Sequence, residues 1–244
     1  HLHMYQKYLT GQRILRVESR GKAILVFFDN DWVIYSHNQL YGRWFVDPGG
    51  QPPVTNRQLR LAIRNRAGSA FLFSASEIEV MRTDELQGHP FLSKLGPDIL
   101  NQRPDAEFIA NRLRSDRFRN RQLAGLLLDQ SFLAGLGNYL RAEILTRSRL
   151  HPLRKPAQCS PAELMKLAKQ IIRITQRSYR TRGIINPPRI VARLRSEGKK
   201  SRAEIRFNTY DRAGEPCHYC GNEIKCINAG GRKMYYCPTC QPAH

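Results

Sequence analysis

Four cysteines near the end of the chain are spaced for metal chemistry. Cys217 and Cys220 form one Cys-x-x-Cys pair and Cys237 and Cys240 a second, with sixteen residues between the pairs. Each such turn wraps one side of a tetrahedral ion, and four thiolates suit Zn²⁺. Four protein ligands leave no open coordination position. One structural Zn²⁺ is therefore expected, and zinc-catalysed hydrolysis is not. The segment between the pairs is expected to be a β-hairpin tipped by Gly230, Gly231 and Arg232. Glycines there allow close backbone approach; the arginine either pairs with a phosphate or is merely exposed on a turn. Cys159 and Cys226 are left over and are expected to be inert.

Three further places carry candidate residues. Gly135-Leu136-Gly137-Asn138 opens a helical pattern. Asn138 there is either a simple N-cap or part of an anion site at the free amides of the helix start. His37, Gln39, Leu40 and Tyr41 close an apolar strand before Gly42. Gln39, Leu40 and Tyr41 are either core at a strand end or a wedge able to enter a base stack. Lys22 follows Gly21 at the head of an apolar strand, and taken alone is one lysine among many.

The elements that hold these residues follow from pattern and charge. Forty Lys+Arg face twenty Asp+Glu over 244 residues, a formal net charge of +20. Such an excess repels itself unless a polyanion neutralises it, and clustered basic charge is the footprint of nucleic-acid binding. No apolar run approaches the ~18 residues of a spanning helix, and no secretory leader is visible, so a soluble, cytoplasmic, nucleoid-associated chain is expected. Within 12–80, "RILRVES", "KAILVFFD", "WVIYSHN", "RQLRLAIR", "SAFLFSA" and "EIEVM" read as strands separated by turn residues, an antiparallel sandwich or barrel. From 84 to 182 the period turns helical. "RQLAGLLLDQSFL" reads as a buried helix, "NYLRAEILTRSRL" as its partner across Gly135–Gly137, and Ser160-Pro161-Ala162-Glu163 as a capping box. Residues 183–203 read as a mobile connector. Arg173 to Arg206 holds eleven Lys/Arg against two Glu, either a disordered basic linker or a functional basic segment. "AEIRFNTYDRAGEPC" reads as a strand and turn leading to the metal.

Together, "SRGKAILVFF", "YSHNQLYG", "SDRFRNRQLAGLLLDQSFLAGLGNYLRAEIL" and "GEPCHYC…GGRKMYYCPTC" resemble the bacterial formamidopyrimidine-DNA glycosylase and endonuclease VIII family. "HNQLYG" and "FRNRQLAGLLLDQ" point to the endonuclease VIII branch. The resemblance implies an α+β chain: an antiparallel β-sandwich (1–82, incomplete at its start), a helix-two-turn-helix domain with a flexible basic loop (83–200), and a zinc finger (201–244). DNA would lie in the cleft between lobes. The activity implied is that of a bifunctional DNA glycosylase and AP lyase of base excision repair, acting on oxidised bases, pyrimidines among them. The base is flipped out, an N-terminal proline amine attacks C1′, and elimination from the Schiff base cuts the strand.

Residue by residue, the resemblance implies that Lys22 is the catalytic sandwich lysine. Gln39, Leu40 and Tyr41 match the void-filling wedge. Asn138 matches the phosphate-binding asparagine of the helical domain, and Arg232 the finger arginine beside the lesion. Glu143 matches an acidic residue of the same helical unit, the four cysteines match the zinc ligands, and Gly183–Ser201 falls on a lesion-facing loop. The family's Pro-Glu start has no match in a sequence that opens on His1. The 244 residues alone are therefore expected to excise little base, with the full-length protein active. The expected partner is double-stranded DNA with damaged bases or abasic sites, bound by a monomer. The alternative is a non-catalytic zinc-stabilised DNA-binding module; charge alone also suits an RNA-binding protein.

Overall fold

The apolar stretches of the first third of the chain pair into two antiparallel sheets. Their strands are β1 (Ile14–Arg20), β2 (Ala23–Phe28), β3 (Trp32–His37), β4 (Arg43–Asp47), β5 (Leu59–Asn65), β6 (Gly68–Phe73) and β7 (Glu77–Arg82), ordered β1-β2-β3-β7 in one sheet and β4-β6-β5 in the other. In the first sheet Leu25 pairs with Tyr35, Val26 with Ile34 and Phe27 with Val33. Because strand side chains alternate between faces, this register sends two apolar sets in opposite directions. Leu25, Phe27, Val33 and Tyr35 pack with Leu86, Phe91 and Leu92 of the following segment. Val26, Phe28 and Ile34 pack with Leu61 and Ile63 of β5 and with Leu2, Tyr5 and Leu9. A sheet covered on both faces explains why β2 is apolar almost throughout rather than alternating.

This computed structural model describes residues 2–199 and 201–243. It divides the chain into two units, His1–Lys94 and Leu95–His244. The boundary lies beyond the expected 82/83 because Leu86, Phe91 and Leu92 complete the core of the first unit. Residues before β1 are helical turns, Leu2–Tyr5 and then α1 (Gln6–Leu9), where a direct run into strand was expected. β4 was not among the expected strands either; its "RWFVD" is too short to show a period.

The second unit is built from α2 (Ala106–Arg114), α3 (Leu123–Leu126), α4 (Asn138–Ser148), α5 (Pro161–Arg180), α6 (Pro188–Ser196) and α7 (Arg202–Arg206), followed by a hairpin of β8 (Lys225–Ala229) and β9 (Arg232–Tyr236). Local chemistry sets several ends. Asp105 caps α2 by accepting from Phe108 N at 2.7 Å. Ser160 Oγ accepts from Glu163 N while Glu163 Oε2 accepts from Ser160 N, the expected capping box. Leu123, Leu126, Leu127, Phe132 and Leu133 are buried as expected, yet only one α-turn forms. Asp129 interrupts it by accepting from Ser131 N. α4 is buried on nearly every side, Arg141, Glu143 and Thr146 included. Ala229 and Met234 of the hairpin belong to the same core as α2, α4 and α5, so helices and finger form one unit.

Two expectations need correcting. The stretch 183–203, expected to be a mobile connector, carries α6, whose Ile190 and Leu194 pack on Ile205 of α7. Lys200, part of that expectation, lies outside the described residues. "AEIRF" is not a strand but α7, opened by a capping box between Ser201 and Glu204. Among the described residues, no helix is long and apolar enough to cross a membrane.

One ion pair of this fold has a testable pH signature. Arg154 holds the Glu163 carboxylate at 2.7 and 3.1 Å, and that hydrogen bond, ahead of any other cause, holds its pKa down at about 2 against an ordinary 4.5. A depressed carboxyl stabilises the fold above its unfolded pKa and loses that contribution as pH falls. Glu163→Gln is expected to cost about 1 kcal/mol near pH 7, a modest figure for a partly exposed pair. In thermal melts the gap to the parent should shrink from pH 4.5 downward and close near pH 2.

Candidate nucleic-acid interface

The metal-ligating residues meet as their spacing predicts. The Sγ atoms of Cys217, Cys220, Cys237 and Cys240 all lie within 4.8 Å of one another. Cys220 and Cys237 are 3.4 Å apart, and Cys217 and Cys240 4.0 Å. A tetrahedron with Zn–S bonds of about 2.3 Å has edges of about 3.8 Å, so the cradle fits Zn²⁺ and is far too open for disulfides. The site is tied to α4 by Gln241. Its Oε1 accepts from Cys237 N at 3.1 Å and from Thr146 Oγ1 at 2.9 Å, and its Nε2 donates to Leu150 O at 2.9 Å.

The other end of the finger is fixed by a different set of contacts. Gly230 and Gly231 have φ of 61° and 72°, the two left-handed residues of a tight hairpin turn. A Cβ on Gly230 would stand 2.9 Å from Gly125 Cα and 3.3 Å from Arg141 Nη1. The close approach foreseen for this glycine is thus made within the chain, against α3. Arg141 makes the joint. Its Nη1 donates to Ala124 O (3.1 Å) and Ala229 O (2.8 Å), and its Nη2 to Asn138 Oδ1 (2.6 Å) and Lys233 O (3.0 Å). The guanidinium is fully buried. Burial, and then the like charge of Arg232, push its pKa down to about 10, so it remains charged at neutral pH.

This joint defines what Asn138 and Arg232 do. Gly137, not Asn138, is the N-cap of α4. Asn138 is the first helical residue, and its side chain is committed to the hairpin: Nδ2 donates to Lys233 O at 3.1 Å while Oδ1 accepts from Arg141. The first bond inside the helix is Arg141 N to Gly137 O, which leaves the first-turn amides before it without intrahelical acceptors. Arg232 and Lys233 are exposed beside them. Among the described residues Arg232 has no ion pair. A helix N-terminus beside unpaired cations attracts an anion. Sequence reasoning missed Arg141. An arginine in a helical run looks like surface, and Gly230, which leaves room for its guanidinium, lies far along the chain.

The sandwich unit gathers its own candidates at one end of the first sheet. Lys22 is exposed in the turn between β1 and β2, after Gly21 at φ 61°. His37, at the end of β3, pairs across strands with Ala23 and with Glu77. Burial lowers the His37 pKa; Glu77 opposes that shift and Lys22 adds to it, which keeps the imidazole neutral near pH 7. Gln39, at φ 47°, donates its side-chain amide to Glu77. The loop is closed by Gly42 N donating to Asn38 O at 2.8 Å, and a Cβ on Gly42 would lie 2.6 Å from Asn38 Cα. Its tip holds Leu40 and Tyr41 in water, 72% and 71% exposed. They are not core. Glu77 was not foreseen; an acidic residue opening a strand carries no signal of its own.

Glu143 is placed elsewhere. It is wholly buried, and its Oε1 accepts from the amides of Asn208, Thr209 and Tyr210 at 2.9–3.0 Å. Burial raises its pKa and those amides oppose the rise. It anchors the entry to the finger. Cys226 is exposed on β8 and Cys159 half-buried.

With this geometry in place, comparison with known proteins is specific. Residues 2–75, 95–187 and 214–243 match three family profiles: the formamidopyrimidine-DNA glycosylase N-terminal domain, its H2TH domain, and the zinc finger found in FPG and IleRS. The chain is 45% identical over 240 residues to Endonuclease 8 of Shigella sonnei, covering 98% of this chain and 88% of that protein. Endonuclease 8 of Klebsiella pneumoniae is 43% identical over the same shares. In fold, it matches a Lactococcus lactis formamidopyrimidine-DNA glycosylase solved with DNA containing an AP site, at a TM-score of 0.78, 23% identity, and coverage of 99% of this chain and 86% of that one.

The zinc and arginine joints are separable by experiment. Chelating the metal should free the β8–β9 amides to hydrogen exchange while leaving β1–β7 protected. Arg141→Met, which strands the carbonyls of Ala124, Ala229 and Lys233, should cost about 3 kcal/mol or more in thermal or denaturant unfolding with one Zn²⁺ still bound. Equal protection with and without zinc would remove the metal from the argument.

Proposed function

This chain belongs to the formamidopyrimidine-DNA glycosylase and endonuclease VIII family, and from that membership we propose that it serves base excision repair as a DNA glycosylase and AP lyase on oxidised bases, pyrimidines included. The observation that carries the reading is the exposed Arg232, set by the Arg141 joint beside the open N-terminus of α4. That arrangement suits a sugar–phosphate backbone. The guanidinium offers paired donors, and the first-turn amides add to the field.

Each remaining part has a task on such a substrate. A damaged base must leave the stack before its sugar carbon is reachable. Leu40 and Tyr41, held in water on a closed loop, are the groups to fill the gap, while Gln39 is fixed from behind by Glu77. Lys22 contributes a positive charge to phosphate and to the sugar chemistry. An amine that condenses with C1′ expels the base, and elimination from the resulting imine cuts the strand. Zn²⁺ bound by four cysteines supplies structure only; Gln241 and Arg141 carry its stiffness to the two ends of α4. Asn138 would meet phosphate through its backbone amide, since its side chain holds the hairpin. The chain acts as a monomer in this reading.

The test is equilibrium binding to paired duplexes that differ only at one abasic site. The parent chain should prefer the abasic duplex. Leu40→Ala combined with Tyr41→Ala should cut that preference tenfold or more, as loss of about 1–3 kcal/mol of base stacking requires. Arg232→Ala should weaken both duplexes about tenfold, consistent with one lost charge-assisted hydrogen bond. Equal affinity of the parent for both duplexes would refute the reading. Borohydride reduction on the abasic duplex then asks whether the imine chemistry resides in these 244 residues: a covalent adduct places it there.

A further inference from the structure

Five arginines of the second unit have no place in the interface described above. Arg147 lies in the last turn of α4, Arg173, Arg177 and Arg180 follow one another along one face of α5, and Arg189 lies in the first turn of α6. Arg147, Arg177 and Arg189 lie close enough to Tyr219, in the turn between the first two zinc ligands, for their charges to be felt there, and Arg173 and Arg180 act on Arg177 along α5. Arg147 donates to the Tyr219 hydroxyl and its Cζ sits 5.2 Å over the ring. Arg177 Nη1 reaches Asn186 O at 3.4 Å. Burial, then the like charges of Arg173, Arg147 and Arg180, hold the Arg177 pKa below its ordinary value, and the charge of Arg189 is felt at Tyr219.

Among the described residues none of the five forms an ion pair. The nearby acidic groups are occupied: Glu143 is buried under the Asn208–Tyr210 amides, and Glu197 is held by Arg193 at 3.4 Å. Gathering guanidinium groups without carboxylates is costly unless an anion completes the set. Arginine is the residue suited to phosphate.

We propose that these arginines form a second backbone-binding face, which takes duplex DNA phosphates beyond those gripped at the Arg232 notch. The proposal rests on the DNA-binding reading above and extends it. The shape favours a polymer over a single small anion. Arg173 to Arg180 covers about 10 Å of helix at ~1.5 Å per residue, while a DNA strand presents a charge about every 3.4 Å of axis. Arg147 stands nine residues along α4 from Asn138, about 14 Å away at the same rise. The two faces therefore meet different phosphates, and only a duplex that runs well past the lesion fills both.

Salt dependence isolates this face. The triple variant Arg173→Gln, Arg180→Gln, Arg189→Gln alters exposed side chains only. A control triple, Arg103→Gln, Arg114→Gln, Lys155→Gln, removes the same charge from exposed positions of the unit that lie off α5 and α6. Affinity for abasic duplexes of two lengths, one barely spanning the lesion and one several turns long, is measured by anisotropy across a salt series, with zinc content and melting checked for each protein. On the long duplex the arginine triple should flatten the slope of log K against log salt by about two to three, at ~0.9 per lost phosphate contact. It should leave the short duplex and the abasic preference unchanged. The control triple should retain the parent slope. An unchanged slope for the arginine triple, or an equal drop in the control, overturns the proposal. A parent chain with no abasic preference overturns the reading beneath it instead.

Discussion

One buried guanidinium holds the second unit in its working shape. Arg141 spans the carbonyls of Ala124, Ala229 and Lys233 and the side chain of Asn138, joining α3, α4 and both strands of the finger through one planar group. Its charge is balanced by carbonyl dipoles and not by a carboxylate. Burying an ion in that manner is expensive when any partner is missing, so the finger has little freedom to adopt a second position. The zinc knot does the same at the other end of α4 through Gln241 and Thr146. A five-residue-per-strand hairpin that would be marginal alone is thereby pinned at tip and base.

Rigidity of this kind has a functional reading. In the proposed reading Arg232, a long side chain with many rotamers, serves as a backbone grip only if its Cα is fixed. Two left-handed glycines and the Gly125 contact fix it. The Leu40–Tyr41 loop follows the same logic in the other unit. Exposed apolar side chains are held out by backbone bonds and by the Gln39–Glu77 contact, so that little order remains to be imposed when a partner arrives.

Much of this was legible in the sequence because the signals were local. Cys-x-x-Cys turns, a Gly-Gly hairpin, a Ser-Pro-Ala-Glu helix start and strands of Val, Ile and Phe each fix their own geometry within a few residues. What was illegible depends on distant partners. Arg141 carries no signal in the sequence and Glu143 only that of the family resemblance, yet both are buried, because partners that hold them lie 65 to 92 residues further along the chain. Asn138 read as a cap because Asn before a helix usually is one; the hairpin carbonyl of Lys233 competes for its side chain and wins. The Gly, Pro and Lys content around α6 suggests a connector, but Ile190 and Leu194 share one face and find Ile205. α7 looks like a strand in sequence because five residues are too few to show a period.

The most direct measurement is a double-mutant cycle on abasic-duplex affinity with Arg232→Ala, Arg141→Met and the pair. If the buried joint places the finger arginine, removing Arg232 should weaken binding about tenfold in the parent and hardly at all once Arg141 is gone. Additive losses, with Arg232 worth the same in both backgrounds, would mean the grip does not depend on the joint.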